Sequence, residues 1–420
     1  MRILLINTSE RIGGAAIAAG RLEESLHNNG VKAKMLVRDK QTDEISVIGL
    51  THKKMNLLKF FWERAVIWKA NGFKKHNLFT VDIANTGTDI TSLPEFKEAD
   101  VIHLHWINQG MLSLKNIKQI IKSGKPIVWT MHDMWPFTGI CHHADDCLNY
   151  QTTCRNCPYL LKPGDKDLSY KTFRRKQKML QKANITFVGC SQWIEGLAKK
   201  SALIQGFPIT NIPNAINTYV FKPCPQNNAR EKSRLPQDKK LLLFGSMKVT
   251  DKRKGFSYLA EACNLLNQEH PELKDKIGIV VVGLQSNTIS NTLPFPVYPM
   301  NYVADEKEMV NIYNSVELYV TPSLQENLPN TIMEAMACGV PCVGFKIGGI
   351  PEMINHQQNG YLAEYKSAAD LAKGIYWILT NPNYESLSKE ACRKVVNNYS
   401  EGIIAKKYTD IYMKITGKNA

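Results

Sequence analysis

Short apolar runs recur along the chain and are separated by longer segments with helical periodicity. In the first half, four such runs predict buried parallel strands: RILLIN, AKMLVR, VIHLHW and PIVWTMH. A fifth run, NITFVGCS from Asn184, predicts another strand of the same half. A strand-helix succession of this kind is typical of an α/β domain with a parallel sheet.

The pattern restarts after residues 208–225, which are rich in proline and asparagine and indicate a crossing between domains. Four more buried-strand runs follow: LLLFGS, IGIVVVG, LYVTPS and PCVGF. We therefore expect two doubly wound domains, over residues 1–210 and 211–395. The pattern of residues 396–420 predicts a helix, and no further strand follows it. We expect this helix to pack back on the first domain.

Composition indicates a globular protein with an anionic partner. The 420 residues are 44% hydrophobic, enough for a large core, and the formal charge of +15 suits nucleic acid, a phosphorylated small molecule or an anionic lipid surface. The first apolar run is too short for a signal peptide, and no window approaches eighteen uninterrupted apolar residues. We expect a cytoplasmic chain whose ten cysteines are reduced.

The most specific pattern is TPSLQENLPNTIMEAMACGVPCVGFKIGGIPEMI, which begins at Thr321. It predicts a strand that ends at Ser323, a loop, and a helix that begins near Asn330 or Thr331 and stops at Gly339. Backbone N–H groups at the start of such a helix face the end of the sheet, where they can hold phosphate. We therefore expect Asn330 and Thr331 to contribute to donor binding.

Two carboxylates flank this helix start, Glu326 and Glu334, with seven residues between them. Together with EAMACG-P and GG-x-P-E nearby, they resemble the E-x7-E motif of the family 4 retaining glycosyltransferases, which adopt the GT-B fold. The resemblance covers nearly the whole chain and implies two Rossmann-like domains that face each other across a cleft. It also implies that Glu326 touches the donor sugar or the reacting face, and that Glu334 binds the ribose hydroxyls of the nucleotide.

A second segment, FGSMKVTDKRKGFSYLAEA, carries basic residues after the strand that ends in Gly245. In the family, a basic pair here neutralises the donor diphosphate, so the resemblance implies leaving-group stabilisation by Lys254 and Arg253, with Lys248 as a further candidate. Ser246 stands where family members commonly carry arginine. No D-x-D sequence stands at a strand end, so we expect metal-independent catalysis.

In the first domain, Gly13 and Gly14 resemble the family's glycine loop, which closes over the donor phosphates. His132 ends a buried strand, at the edge where open α/β sheets bind ligands. The resemblance implies that it reaches the sugar, in a substrate-binding or proton-handling role. The aspartate after it could orient the imidazole or cap a helix. We expect His103 and His105 to lie on opposite phases of their strand, with one at most facing the cleft.

A cysteine-rich insert over residues 138–165 follows His132. Its spacing, C-x5-C-x6-C-x2-C, predicts one structural zinc. The expected ligands are Cys141, Cys147, Cys154 and Cys157. His142 or His143 could replace Cys141, and packed free thiols or a redox disulfide are the alternatives to metal.

Residues 53–76 combine seven basic residues and one acid with a stripe of Leu, Phe, Trp, Ile and Val. The composition suits a helix on an anionic membrane surface, and equally a core helix with a solvated basic face. In the first case, the protein lies peripherally on the inner face of the plasma membrane. The acceptor is then a lipid-linked saccharide of surface polysaccharide synthesis.

The sequence therefore predicts a retaining hexosyltransferase that uses a UDP- or GDP-linked sugar and a saccharide acceptor. A GT-B epimerase lacks this motif set. A dinucleotide-dependent oxidoreductase would need G-x-G-x-x-G, whereas RIGGAAIAAG has its glycines out of register. A zinc-bearing nucleic-acid-binding protein fits the charge and the cysteines but leaves E-x7-E unexplained, so we expect no nucleic-acid partner.

Overall fold

A computed structural model describes residues 1–417 of the chain. The chain divides into two compact units. The first comprises Met1–Asn214 together with the residues from Ile404 onwards, and the second comprises Ala215–Ile403. Each unit is built on one sheet in which every strand pair is parallel. The predicted α/β class with two Rossmann-like units is confirmed.

The sheet of the first unit has seven strands in the order β3-β2-β1-β4-β5-β6-β7. Its strands are β1 (Arg2–Ser9), β2 (Lys32–Asp39), β3 (Val47–Gly49), β4 (Val101–Leu104), β5 (Ile127–Met131), β6 (Ile185–Gly189) and β7 (Ile209–Asn211). The helices are α1 (Gly14–Asn28), α2 (Lys53–Ala70), α3 (Pro94–Glu98), α4 (Leu114–Lys122), α5 (Leu168–Leu180) and α6 (Gln192–Lys199). Every residue of β4 and β5 is buried, as in central strands of a parallel sheet that is covered on both faces.

The sheet of the second unit has six strands in the order β10-β9-β8-β11-β12-β13. Its strands are β8 (Lys240–Lys248), β9 (Ile277–Leu284), β10 (Val297–Met300), β11 (Leu318–Thr321), β12 (Cys342–Phe345) and β13 (Gly360–Ala363). The helices are α7 (Gln226–Ser233), α8 (Phe256–Glu269), α9 (Glu306–Asn314), α10 (Asn330–Ala337), α11 (Ile350–Met353), α12 (Ala368–Thr380) and α13 (Tyr384–Tyr399). The central strands β11 and β12 are again buried throughout.

In both sheets the strand order reverses beside the first strand. β1 lies between β2 and β4, and β8 lies between β9 and β11. At such a reversal the two following loops leave the sheet in opposite directions and open a crevice at the carboxyl ends of the strands, where ligands of open α/β sheets bind. The loops after β1 and β4, and those after β8 and β11, therefore flank the two candidate ligand edges.

The last helix, α14 (Glu401–Thr416), belongs to the first unit from Ile404 onwards. Its Tyr412 hydroxyl forms a hydrogen bond with Nδ1 of His103 (2.7 Å), and its Tyr408 hydroxyl forms one with Oγ1 of Thr130 (2.9 Å). All four side chains are buried. The helix thus contributes to the core of the first unit. Across residues 1–417, no helix has the length and apolar character needed to cross a membrane.

Candidate functional site

At the ligand edge of the second unit, Lys254 and Glu326 form an ion pair between Nζ and Oε1. Lys254 ends a short 3-10 turn after β8, and Glu326 lies in the loop after β11, so the pair spans the reversal of strand order. The lysine side chain is 34% exposed and the glutamate 14%. The ammonium group is therefore held in place while it stays accessible to an anion that competes with the carboxylate.

Gly255 allows the turn that carries Lys254 to approach the loop after β11. Its φ is 70°, and a Cβ at this position would lie 1.8 Å from the carbonyl oxygen of Pro322. The approach is fixed by the Leu324 N–H, which donates to the Arg253 carbonyl over 2.7 Å. Only glycine meets both the steric and the conformational requirement.

Gly348 has the same role on the other side of the Glu326 loop. Its φ is 58°, and a Cβ there would lie 1.8 Å from the carbonyl oxygen of Glu326. The next residue, Gly349, donates its N–H to the Asn327 carbonyl over 2.8 Å. The glycine pair of the GG-x-P-E motif thus supports the backbone that presents Glu326.

Glu334 lies in α10, which begins at Asn330 as the sequence predicted. The hydroxyl of Tyr313, from α9, donates to Glu334 Oε2 over 2.8 Å, and the glutamate is only 9% exposed. Burial, followed by the charge of Glu334, raises the pKa of Tyr313, so the tyrosine stays protonated and donates. Sequence reasoning did not find Tyr313, because nothing in the pattern around it distinguishes it from other core tyrosines.

The other two basic candidates differ from Lys254. The Arg253 guanidinium is bound by Asp251, with 2.7 Å between Nη2 and Oδ2, and this hydrogen bond raises the pKa of Arg253. Lys248 is exposed at the end of β8, after an irregularity in its pairing with β9. The structure thus brings Lys254 and Glu326 together, whereas Arg253 is held by an acid that the sequence analysis did not single out.

At the ligand edge of the first unit, Gly13 precedes α1 with a φ of 93°. A Cβ there would meet no atom within 4 Å, so the glycine serves the backbone conformation and not close packing. Gly14 begins the helix. Residues 10–12 separate the pair from β1.

Three histidines stack side by side at this edge. The rings of His103 and His105 lie 4.2 Å apart between centroids, and those of His105 and His132 lie 5.2 Å apart. Nδ1 of His105 and Nε2 of His132 are 2.9 Å apart and share a hydrogen bond. The expectation that His103 and His105 lie on opposite phases was wrong, since side chains two residues apart along a strand point to the same face.

Burial keeps all three histidines neutral. It lowers the pKa of His132 to about 4 and that of His103 to about 3, and it also lowers the pKa of His105. His132 is therefore an uncharged imidazole at neutral pH. It can exchange hydrogen bonds with a sugar hydroxyl but does not supply a positive charge.

A row of ionised side chains lies next to this stack, and we call it the buried charge chain: Arg64, Asp82, His142 and Asp133. Arg64 Nη2 pairs with Asp82 Oδ1. His142 then bridges two carboxylates, with 2.8 Å from Nε2 to Asp82 and 2.7 Å from Nδ1 to Asp133. Burial alone would lower the pKa of His142, but the charges and hydrogen bonds of Asp133 and Asp82 raise it to about 10. His142 is thus a buried imidazolium.

The cysteine insert holds four free thiols, of which Cys141, Cys154 and Cys157 are buried. Burial raises the pKa of Cys154 to about 12 and that of Cys157 to about 11. His142 could not replace Cys141 as a ligand, because both of its ring nitrogens already bind carboxylates. Over residues 1–417, no group of three or more His, Cys, Asp or Glu side chains is arranged to hold a metal ion. A zinc ion would therefore require the thiols to turn towards one another, and the zinc site stays a prediction.

Helix α2 is inverted relative to an ordinary amphipathic helix. Its buried residues are Asn56, Glu63, Arg64 and Ile67. We call its exposed large hydrophobic residues the apolar face of α2: Met55, Leu57, Leu58, Phe61, Trp62 and Trp68, which are between 39% and 62% exposed. The helix ends at Ala70, before the basic residues at 74 and 75. The helix thus buries Glu63 and Arg64 and exposes several large apolar residues, while its lysines at 53, 54 and 69 are also exposed.

Two doubly wound parallel units, each with a ligand edge at its strand-order reversal, define the GT-B class. Anabaena Alr3699/HepE, solved in complex with UDP and glucose, shares this fold. The two structures match over 99% of this chain and 100% of that protein, with a TM-score of 0.65 and 14% sequence identity. Residues 238–381, in the second unit, match the family described as glycosyl transferases group 1. The resemblance to the family 4 glycosyltransferases of GT-B fold is thereby confirmed.

Two relatives are similar to parts of the chain. An uncharacterized glycosyltransferase of Haemophilus influenzae is 25% identical over 205 residues, which are 48% of this chain and 55% of that protein. The N,N'-diacetylbacillosaminyl-diphospho-undecaprenol alpha-1,3-N-acetylgalactosaminyltransferase of Campylobacter jejuni is 30% identical over 146 residues, 34% of this chain and 39% of that enzyme. The chain thus spans about half or less of the length of these relatives.

Replacing Gly255 tests the glycine contact at the second unit's edge. We expect Gly255→Ala to lower the free energy of unfolding by about 2–4 kcal/mol, because the new Cβ would overlap the Pro322 carbonyl in a strained backbone conformation. Urea denaturation measures the change. Gly206→Ala is the matched control, since a Cβ there meets no atom within 4 Å. Equal stability of the two variants would contradict the steric argument.

Metal analysis tests the insert. If the four thiols bind zinc, protein produced in zinc-replete medium carries close to one equivalent of the metal by elemental analysis. Removing it with a chelator is then expected to expose the insert to proteolysis while the second unit keeps its fold, because the insert belongs to the first unit. Metal-free protein that remains fully active and protease-resistant would count against the site.

Proposed function

We propose that the protein is a retaining glycosyltransferase that moves a hexosyl residue from a UDP- or GDP-linked sugar to a saccharide acceptor. The observation that carries this proposal is the Lys254–Glu326 pair at the strand-order reversal of the second unit, beside the start of α10. That edge combines one accessible cation, backbone N–H groups at a helix start and two carboxylates within one stretch of chain. A nucleoside diphosphate linked to a sugar presents phosphate and hydroxyl groups that these side chains suit.

In this mechanism the donor diphosphate replaces Glu326 as the partner of the Lys254 ammonium group. The diphosphate gains negative charge as the glycosidic bond breaks, so Lys254 and the N–H groups at Asn330 and Thr331 stabilise the leaving group without a metal ion. Glu326, released from the lysine, is then free to accept hydrogen bonds from the donor sugar. Glu334, held by Tyr313, accepts hydrogen bonds from the ribose.

In the first unit, His132 contributes to sugar binding as a neutral imidazole, and Gly13 and Gly14 shape the loop over the donor phosphates. We propose retention of configuration: the acceptor hydroxyl bonds to the anomeric carbon on the side where the bond to the diphosphate oxygen breaks, and its proton passes to that departing oxygen. The mechanism then relies on charge stabilisation at the diphosphate and needs no positively charged histidine.

We further propose that the acceptor is lipid-linked and that the apolar face of α2 binds an anionic membrane. Six large hydrophobic side chains are exposed on one helix, and the lysines of the same helix can reach lipid phosphates. Two charged residues of the same helix, Glu63 and Arg64, are buried. The Campylobacter jejuni relative is named for an acceptor on diphospho-undecaprenol, which fits this choice. The protein would then act at the inner face of the plasma membrane in surface polysaccharide synthesis.

Substitution of Lys254 tests the leaving-group role. We expect Lys254→Met to lower turnover by well over tenfold, because the diphosphate loses its cation in the transition state. The measurement is nucleoside diphosphate release with a panel of UDP-, GDP- and ADP-linked hexoses. Lys252→Met is the control, since that exposed lysine precedes the pair by only two residues. Equal losses in both variants would contradict a specific role for Lys254.

Vesicle binding tests the membrane surface. We expect the protein to co-sediment with phosphatidylglycerol vesicles at low salt and to bind phosphatidylcholine vesicles much less. Phe61→Ser together with Trp62→Ser should weaken binding at least about tenfold, because a fully buried aromatic side chain contributes roughly 1.5–3 kcal/mol. Tyr219→Ser, at an 83% exposed position in the second unit, is the control. No co-sedimentation of the unsubstituted protein would refute the membrane proposal and leave the transferase proposal intact.

A further inference from the structure

The buried charge chain is more enclosed than a surface ion-pair network. Side-chain exposures are 4% for Arg64, 0% for Asp82, 10% for His142 and 12% for Asp133. The buried charge chain begins at Arg64 in α2 and continues through Asp82 to His142 in the insert. It ends at Asp133, which directly follows His132. Buried ionised groups are costly unless each has a partner, so the arrangement requires all its members.

The four side chains of this row carry two positive charges, on Arg64 and His142, and two negative ones, on Asp82 and Asp133. The buried Lys176 also interacts with both carboxylates, and burial lowers its pKa to about 7. The adjacent Glu63 does not upset this balance, because burial and the charge of Asp82 raise its pKa to about 8. Without the His142 imidazolium, two buried carboxylates would share one guanidinium, and Asp133 would lose the partner that holds its pKa at about 2 against burial.

Asp133 is fixed by three donors. Its Oδ2 accepts from His142 Nδ1 (2.7 Å) and from the Trp106 indole N–H (2.8 Å), and its Oδ1 accepts from the Trp135 backbone N–H (2.8 Å). Trp106 follows His105, whose ring bonds to His132. The position of His132 is therefore set from two sides, by its neighbour Asp133 along the chain and by His105 across the sheet.

We infer that His142 is a positioning residue for the reaction at this edge. It does not touch the substrate. Its two ring nitrogens bind Asp82 and Asp133, and through Asp133 it keeps His132 and the insert in register with the carboxyl ends of β4 and β5. Because Arg64 belongs to α2, the same row connects the helix with the apolar face to the histidine edge. The inference rests on the proposed transferase function, in which His132 binds the sugar.

Two variants separate positioning from stability. His142→Gln should lower kcat about tenfold or more with the donor KM changed by less than about twofold, and it should also destabilise the fold through the orphaned carboxylates. His142→Gln combined with Asp133→Asn removes one charge of each sign and leaves the Arg64–Asp82 pair intact, so thermal stability should recover while kcat stays low. Recovery of kcat together with stability would overturn the inference. His27→Gln, which breaks a pair between a half-exposed histidine and Glu23 in the same unit, should leave kcat unchanged.

A measurement without substrate keeps the two proposals distinguishable. The Trp135 backbone N–H donates to Asp133 Oδ1 over 2.8 Å, so its NMR resonance reports on the position of Asp133. We expect it to shift in His142→Gln and in the double variant. If the unsubstituted protein transferred no sugar from any tested donor, the proposed function would fail while this resonance still tested the positioning. An unshifted resonance would overturn the positioning itself.

Discussion

The close approach of the loops after β8 and β11 is the constraint on which the ligand edge of the second unit depends. A parallel sheet brings the carboxyl ends of neighbouring strands to one edge, but it does not by itself bring a lysine after one strand to a glutamate after the next. Gly255 and Gly348 supply that step, since a side chain on either would overlap the backbone of the Glu326 loop or its neighbour. The absence of a side chain at these two positions thus allows Lys254 and Glu326 to form their ion pair.

The two units use charge in opposite ways. In the second unit the ion pair is partly exposed, so its cation remains available to an anionic ligand. In the first unit the charges are buried and paired among themselves, while the three histidines beside them are kept neutral by burial. An uncharged hydrogen-bonding edge suits a sugar, and an accessible cation suits a diphosphate. The inverted helix α2 is a consequence of the same arrangement, because its inner face contributes a charge to the buried row.

Much of the fold follows from the sequence, because buried parallel strands are continuous apolar runs and helix starts carry local signals. The start of α10 at Asn330 and the separation of the two sheets were predictable in this way. The stack of His103 on His105 was also predictable, because side chains two residues apart along a strand lie on the same face, although we had expected opposite faces. The partners of the site residues were not predictable. Asp82 lies 60 positions before His142, and Tyr313 lies 21 before Glu334, so only tertiary structure brings them together.

The inverted character of α2 shows the same limit. In the sequence, Glu63 and Arg64 resemble solvent-exposed residues of a basic helix, and nothing local indicates that Asp82 will pair with Arg64 in the interior.

The central claim is that the edge between β8 and β11 holds a nucleoside diphosphate, and nucleotide binding tests it most directly. Titration calorimetry of the whole protein with UDP, GDP and ADP should give saturable binding for one of them, weakened at least about tenfold by Glu334→Gln. Binding of none of the three, or equal affinity in the variant, would contradict it.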